Sequence, residues 1–142
     1  MSDGVALAAV RATPLSLDEC SAAVSGPTAG AIVTFAGIVR DHDGGRSVLS
    51  LDYEAHPTAE AMLRTVAEEV AASNPAVRIA IAHRTGALVV GDLALACAVS
   101  AAHRAEAFAA CSALIDEVKQ RVPIWKEQRF GDGTTEWVGS LG

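Results

Sequence analysis

Apolar positions along this chain follow two alternating periods, two residues and about three and a half, and the switches between them predict a mixed succession of strands and helices. Residues 5 to 12 read as a strand, after which Ser16 and Glu19 form an S-x-x-E capping box that opens a short helix through about Val24, closed by Gly26 and Pro27. The run GAIVTFAGIVR, residues 30 to 40, is rich in β-branched side chains, and its unbroken apolar character predicts a central strand rather than a solvent-facing edge. A polar stretch, DHDGGR at 41 to 46, separates it from SVLSLDYE at 47 to 54, which resumes a strand-like alternation, so the two strands are expected to form a long hairpin with a mobile loop.

Pro57 suits the first turn of a helix that runs to about Ser73 and is stopped by Asn74-Pro75. VRIAIAHR and DLALACAVS are two further strands, with a short third at Ala87 to Val90 set off by Gly86 and by Gly91-Asp92. A second long helix is expected from about His103 to Arg121, with Phe108, Cys111, Ile115 and Val118 facing the sheet and Pro123 forcing its end. GDG, residues 131 to 133, marks a hairpin turn before TEWV. No repeat or low-complexity linker divides the chain. Residues 1 to 142 therefore read as one α+β domain with a mainly antiparallel sheet and two or three packed helices.

A hydrophobic fraction of 51% with 20% charged residues fits a compact chain with enough apolar material for a core. The net charge of -6 argues against nonspecific nucleic-acid binding, yet Arg104, Lys119, Arg121, Lys126 and Arg129 concentrate positive charge in the last third, which suits a small anionic ligand. Cys20, Cys97 and Cys111 stand far apart without a CxxC pair and read as buried free thiols, which places the chain in a reducing cytoplasm. No stretch has the pattern of an export signal or approaches the roughly 18 apolar residues of a membrane span. His42 between Asp41 and Asp43 reads as a solvated loop, so neither a metal nor a cofactor is expected. His56 and His83 read as structural, and Trp125 and Trp137 as packing residues, with Trp125 a possible cavity wall.

Lysine is scarce. It occurs only at Lys119 and Lys126, against nine arginines, and the pair brackets KQRVPIWK. An amine, unlike a guanidinium, can lose its proton, act as an acid or attack a carbon, so amine chemistry is confined to these two positions. Lys119 near a helix C-terminus is also a favourable charge-dipole placement in its own right. Lys119 is the first candidate for the catalytic amine, because Arg121 and Lys126 beside it would weaken its hold on the proton. His103 and Arg104 stand at a helix start, where cations oppose the dipole and backbone N–H groups attract anions; an anion-binding role suits them better than helix stabilisation.

Five blocks, FAGIVR at 35 to 40, LDYEAHP at 51 to 57, AHR at 102 to 104, KQRVPIWK at 119 to 126 and EWV at 136 to 138, resemble in order and interval the large, catalytic subunit of molybdopterin synthase. The resemblance spans roughly Gly30 to Val138 and implies an α/β-hammerhead type of fold. It further implies an enzyme of molybdenum cofactor biosynthesis, a sulfurtransferase that converts cyclic pyranopterin monophosphate into molybdopterin. Sulfur would come from a ubiquitin-like carrier subunit whose C-terminal Gly-Gly tail, a thiocarboxylate, threads into the cavity. The resemblance places Ile38, Val39 and Arg40 along the ligand, with His103, Arg104, Lys119, Lys126, Glu127 and Gln128 completing the substrate site and Lys119 and Lys126 as the catalytic amines.

Sixteen residues separate His103 from Lys119, about 24 Å along a continuous helix. One chain cannot bring both to one small molecule. A symmetric homodimer is therefore expected, in which His103 and Arg104 of one copy complete the cavity holding Arg40, Lys119 and Lys126 of the other; the resemblance implies that this dimer sits within a heterotetramer. The chain departs from the family pattern at Asp43, at His56 and in stopping at Gly142 soon after EWV, which bears on the loop, the partner-facing surface and the cover of the cavity more than on the amines. The competing reading is a noncatalytic module that uses the same cations to hold a phosphorylated ligand or a partner's extended tail.

Overall fold

The first helix shows how local chemistry sets an element boundary. The computed structural model describes residues 4–139, and in it α1 (Leu17–Val24) follows strand β1 (Val5–Arg11) after Ser16, whose Oγ accepts the Glu19 N–H at 3.1 Å. Only half of the expected capping box forms: the Glu19 carboxylate is drawn back to Arg11, which donates at 2.7 and 3.0 Å. A forked guanidinium-carboxylate pair outcompetes one backbone N–H for the same oxygens. Replacing Ser16 with alanine should cost about 1 kcal/mol, read as a lower denaturation midpoint at unchanged slope.

The remaining elements are β2 (Ala31–Ile38), β3 (His42–Asp43), β4 (Arg46–Ala55), α2 (Ala59–Ser73), β5 (Arg78–Arg84), β6 (Gly86–Val89), β7 (Leu93–Ala101), α3 (Arg104–Arg121), β8 (Ile124–Phe130) and β9 (Thr135–Gly139). Pro57 sits two residues ahead of α2 rather than inside its first turn; the N–H of Thr58 is accepted by His56 Nδ1 at 3.1 Å, which gives His56 its structural role. The order β1-β5-β7-β2 forms one sheet, in which β1 and β5 run parallel and the other neighbours antiparallel. The order β3-β4-β8-β9, with β6 also on β4, forms the second, wholly antiparallel sheet. This is the α+β, mainly antiparallel architecture that the alternation predicts.

The near-continuous apolar runs of β5 and β7 encode two buried faces distinguished by size. Ile79, Ile81, Leu95, Cys97 and Val99 pack into the main core with α2 and α3, while Ala80, Ala96 and Ala98 lie with Cys20 and Val24 of α1. Small side chains on that second face let a short helix approach closely. Cys20, Cys97 and Cys111 are buried free thiols, as their apolar settings suggest.

Three expectations fail, each for a tertiary reason. The run at 30 to 40 is the edge strand β2, paired only with β7 in its sheet, and Ile32 and Ile38 are exposed. It makes no hairpin with β4, which pairs instead with β8 and β6 in the other sheet; the hairpin is a tight one, His42 to Ser47, whose two turn residues Gly44 and Gly45 both have positive φ. Phe108 is 60% exposed, because the stripe of α3 that packs on the sheet is Ala107, Ala110, Cys111, Leu114 and Val118. Phe108 and Ile115 lie on the neighbouring stripe, over β2.

Candidate active site

Five elements, β2, β4, β7, α3 and β8, meet at one cavity of about 210 Å³. The inward face of the second sheet supplies its floor. In the β4–β8 register, Leu51 is opposite Gln128 and Tyr53 opposite Lys126, so these four side chains share a face. Along β8 burial alternates: Ile124, Lys126, Gln128 and Phe130 point inward and Trp125 and Arg129 outward. Lys126 therefore occupies what a strand would normally give to a core side chain, and is only 9% exposed.

The opposing wall comes from β2 and α3. The register slips between Gly37 and Ile38, and the chain past this irregularity is held by Val39, whose N–H donates to Asp92 O at 3.0 Å and whose carbonyl accepts from Gly91 N–H at 2.8 Å. Such a slip re-aims the end of a strand. Ile38, Val39 and Arg40 all line the cavity, as do Ile115 and Lys119, one turn apart on α3. Mostly apolar side chains, with Tyr53 and Gln128, thus surround three cationic ones, Arg40, Lys119 and Lys126, and among the described residues no acidic one lines the cavity.

The Lys126 amine has its pKa lowered from the ordinary lysine value, first by burial and then by the charges of Arg40 and Lys119; Asp43 works the other way. Removing an ammonium from water disfavours its charged form, and like charges nearby add to that cost. Arg121, which the sequence reading set beside the Lys119 amine as a helper, is diverted: it donates to Glu69 at 2.6 and 3.1 Å and approaches Glu117 at 3.5 Å. Burial pushes the Tyr53 hydroxyl up to about 12, so it stays a neutral hydrogen-bonding group in the wall. Behind it His83, fully buried, meets the Tyr53 ring edge-on at 5.0 Å and bonds Arg84 O through Nδ1 at 2.8 Å. Burial lowers the His83 pKa and keeps it neutral, consistent with a structural part.

The rim is set by Asp43. Its carboxylate accepts from Gln128 Nε2 at 2.7 Å and from Arg40 at 3.4 Å, tying the β3–β4 hairpin to β8 and to the end of β2.

Of the residues singled out in the sequence, the cavity gathers Ile38, Val39, Arg40, Lys119, Lys126 and Gln128. Glu127 is not among them. It shares the other face of β8 with Arg129, 3.7 Å away, because successive strand residues alternate sides. Trp125 lies on that outer face too and does not wall the cavity; Trp125 and Trp137 are 44% and 52% exposed, so neither packs in this chain's core. His103 caps the start of α3 without a side-chain cap bond and Arg104 is its first residue; both are exposed and lie about 22 to 24 Å along the helix from Lys119. Leu51 and Tyr53 are lining residues that the sequence reading passed over, although the alternation of LDYE already set them on one face.

A family profile described as MoaE protein matches residues 10–121. The molybdopterin synthase catalytic subunit 1 of Mycobacterium tuberculosis is 49% identical over 129 residues, covering 89% of this chain and 86% of that protein. The crystal structure of molybdopterin synthase from Staphylococcus aureus superposes with a TM-score of 0.86 at 32% identity, covering 92% of this chain and 96% of that one. A complex of subunits 1 and 2 of molybdopterin-converting factor from Helicobacter pylori shares the fold, with a TM-score of 0.61 at 24% identity over 80% of this chain and 73% of that one. With three of the five ordered motifs lining a single cationic cavity in a matching fold, the chain belongs to the MoaE family, that of the molybdopterin synthase catalytic subunits.

Proposed function

We propose that this cavity is where a molybdopterin synthase catalytic subunit, an enzyme of molybdenum cofactor biosynthesis, carries sulfur from the thiocarboxylated Gly-Gly tail of a small ubiquitin-like carrier to cyclic pyranopterin monophosphate. The observation that carries the reading is a lysine at an inward position of β8, beside a second lysine and an arginine, in a wall whose other residues are uncharged. A charge so placed is retained against its desolvation cost for what it does to a ligand. Arg40 suits the phosphate through its forked donors. Lys126, with weakened proton affinity, suits proton transfer to or from the reacting pterin, and Lys119 suits stabilisation of negative charge developing on the acyl oxygen of the incoming tail. Gln128 orients the ligand from the cavity wall, and Glu127 stays outside it. The extended tail reaches the amines along the apolar side, past Phe35 and Ile38.

A homodimer completes the site. The edge strand β2 and the α3 stripe bearing Phe108 leave an apolar groove of about 310 Å³ lined by Val33, Phe35, Phe108 and Ile115. An exposed apolar edge favours pairing with another copy. A two-fold axis across this groove sets the two α3 helices antiparallel, and so carries His103 and Arg104 of one copy to the Lys119 end of the other. With one carrier per catalytic chain the assembly is a heterotetramer, working in the cytoplasm.

Supplying the precursor and the thiocarboxylated carrier and assaying molybdopterin tests the activity; binding of both without product would make this a noncatalytic module. Mixing an Arg104→Ala chain with a Lys119→Ala chain tests the shared site. Random pairing yields half mixed dimers, each with one intact site of two, so recovery to about one quarter of the wild-type rate is expected. Verified mixed dimers that stay inactive would place each site within a single chain.

A further inference from the structure

Among the described residues, the one carboxylate bonded into this constellation belongs to Asp43, at the tip of the β3–β4 hairpin. Its two oxygens serve different partners. Oδ2 takes the Gln128 amide at 2.7 Å, and Gln128 is 2% exposed, so this bond satisfies a buried donor and is costly to break. Oδ1 meets Arg40 at 3.4 Å, and there the side chains are 60% and 30% exposed for Arg40 and Asp43. A long, solvated ion pair of that kind contributes little and exchanges easily. One end of the carboxylate is an anchor and the other a loose contact.

We propose that Asp43 is an internal anion that parks the Arg40 guanidinium at the mouth of the cavity and is exchanged for a ligand phosphate when one binds, while the Gln128 bond holds the hairpin in place. Arg40, Lys119 and Lys126 repel one another without a ligand, and Asp43 offsets that repulsion. A phosphate group offers Arg40 two oxygens in the geometry its fork prefers; a cyclic phosphodiester carries one negative charge, as the carboxylate does, and a monoester or inorganic phosphate carries up to two. Arg40 then turns inward while Asp43 remains on Gln128, as a repulsive element that weakens anions unable to engage both arms of the fork. Asp43 is thus a positioning and selectivity residue. The inference deepens the reading of the cavity as a phosphate-ester site and rests on it, but not on any turnover.

Inorganic phosphate, titrated calorimetrically against the intact chain, is the probe. Asp43→Asn keeps an acceptor for Gln128 and removes the charge, so phosphate should bind about three- to tenfold more tightly. In an Arg40→Ala background the same substitution should give a smaller gain, since the two sites are coupled. The Lys126 pKa, followed by NMR, should move further down in Asp43→Asn: of the groups facing it, Asp43 is the one that raises it, Arg40 and Lys119 lower it, and Tyr53 opposite stays neutral. Asp43→Ser serves as a second charge-free variant should the asparagine protein fold poorly. Unchanged or weaker phosphate binding in both variants, an equal gain with and without Arg40, or no saturable phosphate binding at all would overturn the proposal. A Lys119→Ala chain that still turns over would sink the assigned chemistry and leave this exchange standing.

Discussion

Replacing Lys119 with alanine should leave both the precursor and the thiocarboxylated carrier bound while cutting molybdopterin formation by at least about a hundredfold. Lys119 stands one turn beyond Ile115 on the exposed side of α3, and its methylenes are not needed to fill the core. Its loss therefore leaves no buried cavity, and the melting temperature should move little. Arg40 and Lys126 remain to hold the anion, so the defect should fall on turnover rather than on apparent affinity, the signature of an interaction made chiefly in the transition state. Lys119→Arg provides the sharper comparison. It keeps the charge and removes the ability to give up a proton, so rescue by arginine would assign Lys119 to charge stabilisation and a dead arginine variant to proton transfer or attack. Undiminished product from Lys119→Ala would remove the residue from the mechanism.

Lys126→Met should move activity and stability in opposite directions. Turnover should drop by about a hundredfold or more, because the amine facing the ligand is gone. Stability should rise by on the order of 1 kcal/mol, since a desolvated charge beside two like charges is exchanged for an apolar side chain of similar length, with the lost attraction of Asp43 offsetting part of the gain. The effect carries a pH signature. Folding lowers the Lys126 pKa, so between that lowered value and the ordinary lysine value the unfolded chain binds more protons than the folded one. Wild-type stability therefore climbs with pH through that window. The advantage of the methionine variant should be full below the window and vanish above it. A destabilised Lys126→Met chain at neutral pH would mean that Asp43 stabilises the ammonium by more than its burial costs.

The site shows where reading a sequence succeeds and where it stops. Two lysines flanking V-P-I-W were conspicuous by scarcity, and the motif order tied them to Arg40 across about eighty residues of chain. Strand alternation then decides which of Lys126, Glu127 and Gln128 can act inside, and it excludes Glu127, a distinction that KEQ as a string does not make because the face turned to the core is set by pairing with β4. Arg121 fails as a helper for the same kind of reason: Glu69, 52 residues away, lies within its reach only once α2 packs on α3. Asp43 drew notice as a departure from the family, but its grip on Gln128 spans 85 residues and no local rule announces it.

By itself the sequence determined the periodicities, and with them nearly every helix and strand, the α+β class, and the confinement of amine chemistry to two positions; these depend on neighbours three or four residues away, whose geometry the backbone imposes. Only the tertiary structure decided that residues 30 to 40 form an edge rather than a centre, that β4 pairs with β8 instead of its chain neighbour β2, and that Phe108 lies outside the core. Strand pairing and the choice of buried helix stripe are competitions among distant surfaces, settled by which arrangement covers the most apolar area with its backbone polar groups satisfied. An apolar run such as GAIVTFAGIVR says only that its faces avoid water. Whether its own chain or a second copy supplies the cover is a property of the assembled surface.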